Sequence, residues 1–231
     1  MKARAKCAIG CLLLGALLTI FTLPALGASK EDDEKTISNA VTVLSAMLHS
    51  KDVPSSVVAK ADCIVVLPSV KKFAVGIGGT GGRGPMSCRE GKSFNGKWSA
   101  PAMYSVGGAS AGLQLGGTST DVILLIMSPS AADKVLNGKV KVGSDATAAA
   151  GPGASTSSST ADILTYSRTK GLFAGVSLDG ATLQPDGDAN GRLYGTGVSA
   201  QSVINGDATI KPTSAGRSFT SVLNENAAKH M

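Results

Sequence analysis

The sequence predicts an α+β fold: a bent or barrel-like antiparallel β-sheet with a few flanking helices. Three observations lead there. Glycine is abundant, at 29 of 231 residues, while aromatic residues make up only 4%, which suits a closely packed sheet of small residues better than a helical bundle. The stretch 98–128 holds the only Trp and three strand-like runs separated by glycines. Apolar runs broken by Gly, without helical spacing, read as strands that bend or pack closely. Within that stretch, 122–127 (VILLIM) is apolar at every position, as in a strand buried on both faces.

The elements follow in order. Ser29 with Asp32 forms a capping box. Ile37, Val41, Leu44 and Leu48 then recur at helical spacing and predict an amphipathic helix of about 18 residues. Pro54 opens a short second helix over 54–61. Residues 63–67 read as a strand, 68–72 as a turn, 73–79 and 85–89 as strands, and Asn95-Gly96 as a hairpin turn leading into Trp98. Ser130 with Asp133 predicts a second capping box, with Gly138 ending that helix. Residues 139–142 form a short strand. The run 143–160, rich in Ala, Gly, Ser and Thr, reads as a mobile loop. Strands follow at 163–168, 172–178 and 181–184, with Asp179-Gly180 as a hairpin turn. The polar segment 205–231 reads as a frayed tail.

The first 27 residues read as a signal peptide, leaving a domain over 28–204. Lys2, Arg4 and Lys6 precede a nearly continuous apolar run over 7–23, and Pro24-Ala25-Leu26-Gly27 offers a small-residue cleavage site. A retained anchor and a lipoprotein acylated at Cys11 are the alternatives. The run is short for a membrane span, and most of it follows Cys11, where a lipoprotein signal needs it before. The expectation is a protein exported to the periplasm or outside, peripheral to the envelope membrane. Removing 1–27 takes three basic and no acidic residues, so 22 Lys+Arg against 16 Asp+Glu becomes 19 against 16, and net charge falls from +6 to +3. A weakly basic exported protein does not point to nucleic acid. Cys63 and Cys88 remain as an even pair in an oxidising compartment, which favours a disulfide. Two Cys with no His nearby lack the ligand count for zinc.

Two motifs mimic chemistry. GIGGTG at 76–81 matches the dinucleotide fingerprint, but Arg83-Gly84-Pro85 and another strand-like run follow where a helix must open, so nucleotide binding is not expected. Gly108-Ala109-Ser110-Ala111-Gly112 matches a nucleophile elbow, yet the only downstream His is His230 in the predicted tail, with His49 upstream. Asp121, just before the buried strand, reads as a strand-end hydrogen bonder. Trp98 reads as core or sheet-edge packing.

A set of pieces occurs in order along the chain: Pro68-Ser69-Val70-Lys71-Lys72, the glycines of 76–84, WSAP from Trp98, GGASAGLQLGG over 107–117, Thr120-Asp121, Ala149-Ala150-Gly151-Pro152, Tyr166-Ser167, Lys170 to Val176, and Asn190 with Tyr194-Gly195. Together they resemble the SYLF family of lipid-binding domains, related to the yeast actin-patch actin-binding domain, over roughly residues 37–200. The resemblance implies lipid or phosphoinositide binding, actin binding in some eukaryotic members, and no enzymatic activity or cofactor. In the family a basic residue often follows Ala-Ala-Gly-Pro; here Gly153-Ala154-Ser155 stands instead.

Lys71 and Lys72 precede one glycine-interrupted apolar strand, and Arg168 and Lys170 precede another, with Phe73, Leu172 and Phe173 adjoining them. Basic heads beside apolar side chains suit a phospholipid surface, where charges meet phosphates and apolar groups enter the acyl boundary. Spacing alone serves solvated turn lysines beside core aromatics equally well, and the resemblance tips the reading toward lipid. The function expected is non-catalytic binding of anionic lipids or a membrane surface by an exported bacterial protein. The alternative is a structural or adhesive protein-interaction module of the envelope or host interface.

Overall fold

The computed structural model describes residues 27–75, 77–91, 93–111, 116–142, 147–149, 161–169, 172–173, 178, 180–207 and 209–227. The predicted signal segment, up to residue 26, lies outside them. In chain order the elements are α1 (Lys30–His49), α2 (Ser55–Val58), β1 (Cys63–Val75), β2 (Ile77–Cys88), β3 (Ala102–Ala111), β4 (Gly116–Ile126), α3 (Pro129–Asn137), β5 (Val140–Val142), β6 (Thr147–Ala149), β7 (Ile163–Thr169), β8 (Leu172–Phe173), β9 (Ala181–Pro185), α4 (Gly187–Tyr194), α5 (Ala200–Ile204) and α6 (Ser214–Asn226). The fold is α+β, as the sequence predicts.

The strands form one sheet in the order β5-β9-β3-β2-β1-β4-β7-β6, with β8 paired to β7. All described pairings are antiparallel except β6 with β7. The edge strands β5 and β6 are consecutive in the chain. The link from Val142 to Thr147 reaches no more than about 18 Å, so the sheet must curl to bring its two edges that close.

Both faces are covered. On one face, Cys63, Val65 and Leu67 of β1 join Val122, Leu124 and Ile126 of β4 under α3 and α5. On the other, Ile64 and Val66 join Ile123 and Leu125 under α1 and α6. Every side chain from Val122 to Ile126 is therefore fully buried, which explains the unbroken apolar run.

The α1 start is the predicted capping box: the Ser29 N–H donates to Asp32 Oδ2 at 2.9 Å and the Asp32 N–H to Ser29 Oγ at 3.2 Å. These bonds hold the Asp32 carboxyl below its ordinary range. Helix α3 differs from expectation. Ser128, not Ser130, is its cap, with Pro129 in the first turn. Proline presets helical φ and leaves the preceding residue extended, so the cap moves to Ser128.

Two predicted breaks are absent. The 68–72 turn is a bulge inside the continuous β1, and 85–89 is no separate strand but the end of β2. Gly84 allows the second: a Cβ there would lie 1.9 Å from the Val66 carbonyl oxygen, so only glycine lets β2 run this close to β1. Gly78, Gly79 and Gly81 lie at the start of β2, paired with β1, and no helix follows them. Within 143–160, residues 147–149 form β6 rather than loop; the remainder lies outside the described residues, as do 174–177 and Asp179 of the predicted 172–178 strand and its turn.

The predicted frayed tail is corrected most strongly. Residues 214–226 form α6, capped by Thr213, and bury Ala215, Phe219 and Leu223 against α1 and the sheet. Apolar residues four apart place one stripe on the helix even among polar neighbours.

Cys63 and Cys88 are cross-strand partners joined by a disulfide. Closing a loop of this size stabilises by about 3 kcal/mol in the chain-entropy model. Among the described residues, no helix is long and apolar enough to cross a membrane.

Candidate functional site

Three pairs of strand ends share one end of the sheet. The β1–β2 turn, the ends of β3 and β4, and the start of β8 after β7 all lie there, because antiparallel pairing returns each strand to that rim. Two rows of paired residues cross the sheet beside it: Gly107, Gly81, Lys71 and Ser119, then Ala109, Gly79, Phe73 and Gly117. Side chains are small everywhere in these rows except on β1. Lys71 is exposed, as are Gly107, Ala109, Gly117 and Ser119, and Lys72 is half-exposed.

The predicted site residues separate on this frame. Lys71 and Lys72 are adjacent in a strand and so take opposite faces of the sheet. Arg168 on β7 pairs with Asp121 of β4, while Lys71 pairs with Ser119. Arg168 is thus set back from Lys71 by two residues, about 7 Å along β4. Its Nε lies 3.8 Å from Asp52 Oδ2, beyond the end of α1. That nitrogen is buried without a hydrogen bond among the described residues, at a small cleft also lined by Thr42, Val43, Ala46, Met47 and Asp121. Leu172 and Phe173 form β8, paired with Thr169 and Arg168, so they stand at the level of Arg168, behind Lys71 and Phe73. Lys170 lies outside the described residues.

Asp121 behaves as its strand-end position suggests: its Oδ1 accepts the Ser69 backbone N–H at 2.9 Å. Trp98 is core, 1% exposed. Gly108 to Ala111 of the elbow-like motif sit within β3 and pair along β2, not at a strand-to-helix turn. Among the described residues, no group of three His, Cys, Asp or Glu side chains is placed to hold a metal ion.

Two charged clusters escaped the sequence reading. Asp33 of α1 is fully buried between Arg83 of β2 and Arg192 of α4. Arg192 Nε donates to Asp33 Oδ2 at 2.7 Å and its Nη2 to Oδ1 at 3.2 Å. That carboxylate raises the Arg192 guanidinium above its ordinary value. Arg89, 3% exposed, donates to the carbonyls of Ala59, Ala61, Gly96 and Ala227, and lies 4.4 Å over the Trp98 ring. Burial pulls it down. One residue thereby ties the α2 turn, the 90–97 loop and the end of α6. Burial also pushes the Tyr104 and Tyr166 hydroxyls up; neither has a hydrogen-bond partner among the described residues. No local pattern marked the two clusters: Asp33 sits among the charges of 30–35 and Arg83 among glycines.

The architecture is a curved, helix-covered sheet whose exposed glycines and lysines gather at one rim. Residues 107–226 match the family described as Ysc84: Las17-binding protein actin regulator, and the chain belongs to that family. It is 33% identical over 163 residues to an SH3 domain-containing protein of Schizosaccharomyces pombe, covering 67% of this chain and 37% of that protein. It is 31% identical over 172 residues to human SH3 domain-containing YSC84-like protein 1, covering 71% and 49%. Against Protein YSC84 of Saccharomyces cerevisiae it is 29% identical over 169 residues, covering 69% and 35%. The matches span about half or less of these relatives' own length.

Proposed function

We propose that the domain is a non-catalytic, exported binding module that docks its glycine-rich rim edge-on against anionic phospholipid. The observation carrying this reading is the convergence of strand ends that puts Lys71, Lys72 and Phe73 at one rim of the sheet, with Leu172 and Phe173 set behind them on the same half. A lysine on each face lets an edge-on sheet meet headgroups on both sides. The small neighbours leave the phosphates room to approach. Each Lys or Arg near an anionic surface contributes on the order of 1 kcal/mol, so the hold is weak, reversible and screened by salt. Export rests on the basic n-region, apolar run and small-residue site of the first 27 residues. The α1 cap at Ser29 falls just past that site, so cleavage leaves the domain whole.

Flotation of the mature protein with phosphatidylserine-containing vesicles tests the reading. Binding is expected at low salt, falling steeply as ionic strength rises toward about 0.5 M, with little binding to neutral phosphatidylcholine. Salt-independent binding, or equal binding to neutral vesicles, contradicts it. A protein partner is the second reading, favoured by the family's description as a Las17-binding protein actin regulator. Vesicle-independent capture of a defined protein would support that reading instead.

A further inference from the structure

Which face each rim lysine takes is a matter of parity along β1. Cys63, Val65 and Leu67 pack on the α3/α5 face. Strict alternation would continue with Ser69, Lys71 and Phe73 on that face and Lys72 on the other. The register departs from this. Leu67 pairs with Val122 and Val70 with Thr120, three steps on β1 against two on β4. Val65 pairs with Met86 and Lys71 with Gly81, six steps against five on β2. One extra residue in β1, counted against both neighbours, is a β-bulge. Beyond it Val70 returns to the α3/α5 cluster. Lys72 therefore follows Val70 on that face, and Lys71 turns to the α1/α6 face.

The bulge has a specific fastening. Pro68 has no N–H to give a neighbouring strand. Ser69 takes φ +55°, a left-handed conformation uncommon outside glycine. Its N–H, displaced from the ladder, donates to Asp121 Oδ1 at 2.9 Å. Asp121 lies between Thr120 and Val122, the two β4 residues that bracket the bulge.

We infer that Asp121 is a positioning residue for the anionic-surface rim: it locks the Ser69 bulge that sets which face Lys71 takes and which face Lys72 takes. It acts through β1 and touches no ligand. This rests on the lipid reading of the rim, and the test keeps the two apart. Asp121→Ala and Asp121→Asn are compared with the parent by amide exchange at Ser69, Lys71 and Lys72, and by flotation with phosphatidylserine vesicles. Simple electrostatics predicts that both variants bind more tightly, since each removes a negative charge near the rim. Positioning predicts that Asp121→Ala speeds Ser69 exchange by about tenfold, the loss of one hydrogen bond to a charged acceptor, and binds several-fold more weakly. Asp121→Asn, which keeps an oxygen acceptor, holds both values near the parent's. Tighter binding by both variants, or unchanged Ser69 exchange in Asp121→Ala, overturns the inference. If the parent binds no vesicles, the lipid reading itself fails; the positioning claim then stands or falls on the exchange data alone.

Discussion

Truncation after Lys211 is expected to leave no folded domain. Helix α6 carries Phe219 and Leu223, both fully buried with Ala215 in the cluster holding Trp98, Ile37 and Met103. Removing a Phe side chain from a core costs about 3–5 kcal/mol, and a Leu about 2–5. Their sum approaches the whole stability of an ordinary domain. The loss extends further, because the Ala227 carbonyl that closes α6 accepts from both Arg89 and the Trp98 indole. Without it two buried donors lose a partner. Circular dichroism of the truncated chain should show no cooperative melt, whereas Phe219→Ala alone should melt cooperatively with about 4 kcal/mol less stability. A truncated chain with a parent-like melt would return 212–231 to the status of a tail.

Asp33→Ala should produce the next largest effect, about 3 kcal/mol of destabilisation in urea unfolding. The carboxylate is fully buried, yet Arg83 and Arg192 each keep more than a quarter of the side chain exposed. Both guanidinium groups can therefore rehydrate in part, which places the cost at the low end for breaking a buried pair. The contact also joins three elements: α1, β2 and α4. Its loss should loosen α1 over the sheet, seen as faster amide exchange across Lys30–His49 than across β4. A change below about 0.5 kcal/mol, the scale of an ordinary surface substitution, would mean that the clamp contributes little.

What the sequence disclosed was local or complete within one strand. The VILLIM run announced a strand buried on both faces because Val122 to Ile126 each meet a core. The Ser29–Asp32 box and the Cys63–Cys88 pair were legible for similar reasons, one a four-residue pattern and the other the only two cysteines beyond the predicted signal segment. Helix α6 was hidden because its buried stripe is three residues long in a polar segment. The bulge was hidden because Pro68-Ser69 carries turn chemistry, and only pairing with β2 and β4 shows the strand continuing. Asp33 meets partners 50 and 159 residues away, a distance no local pattern spans. At the rim, sequence named the basic and apolar residues but not their geometry. The spacing of the basic pairs could not foresee that Lys71 and Lys72 face opposite sides, or that Arg168 is set back beside Asp52.

The central claim is that this rim is the membrane contact. The most direct measurement is vesicle flotation of Lys71→Gln/Lys72→Gln/Arg168→Gln/Lys170→Gln beside the parent, with melting curves for both. Lys71 is exposed, while Arg168 is part-buried beside Asp52, so the variant should still melt cooperatively, with a loss of about 1 kcal/mol, the upper range for an exposed ion pair. Its binding to phosphatidylserine vesicles should fall at least about tenfold, while its weak binding to phosphatidylcholine stays unchanged. A folded variant that binds phosphatidylserine vesicles as tightly as the parent would contradict the claim and move the contact elsewhere on the domain.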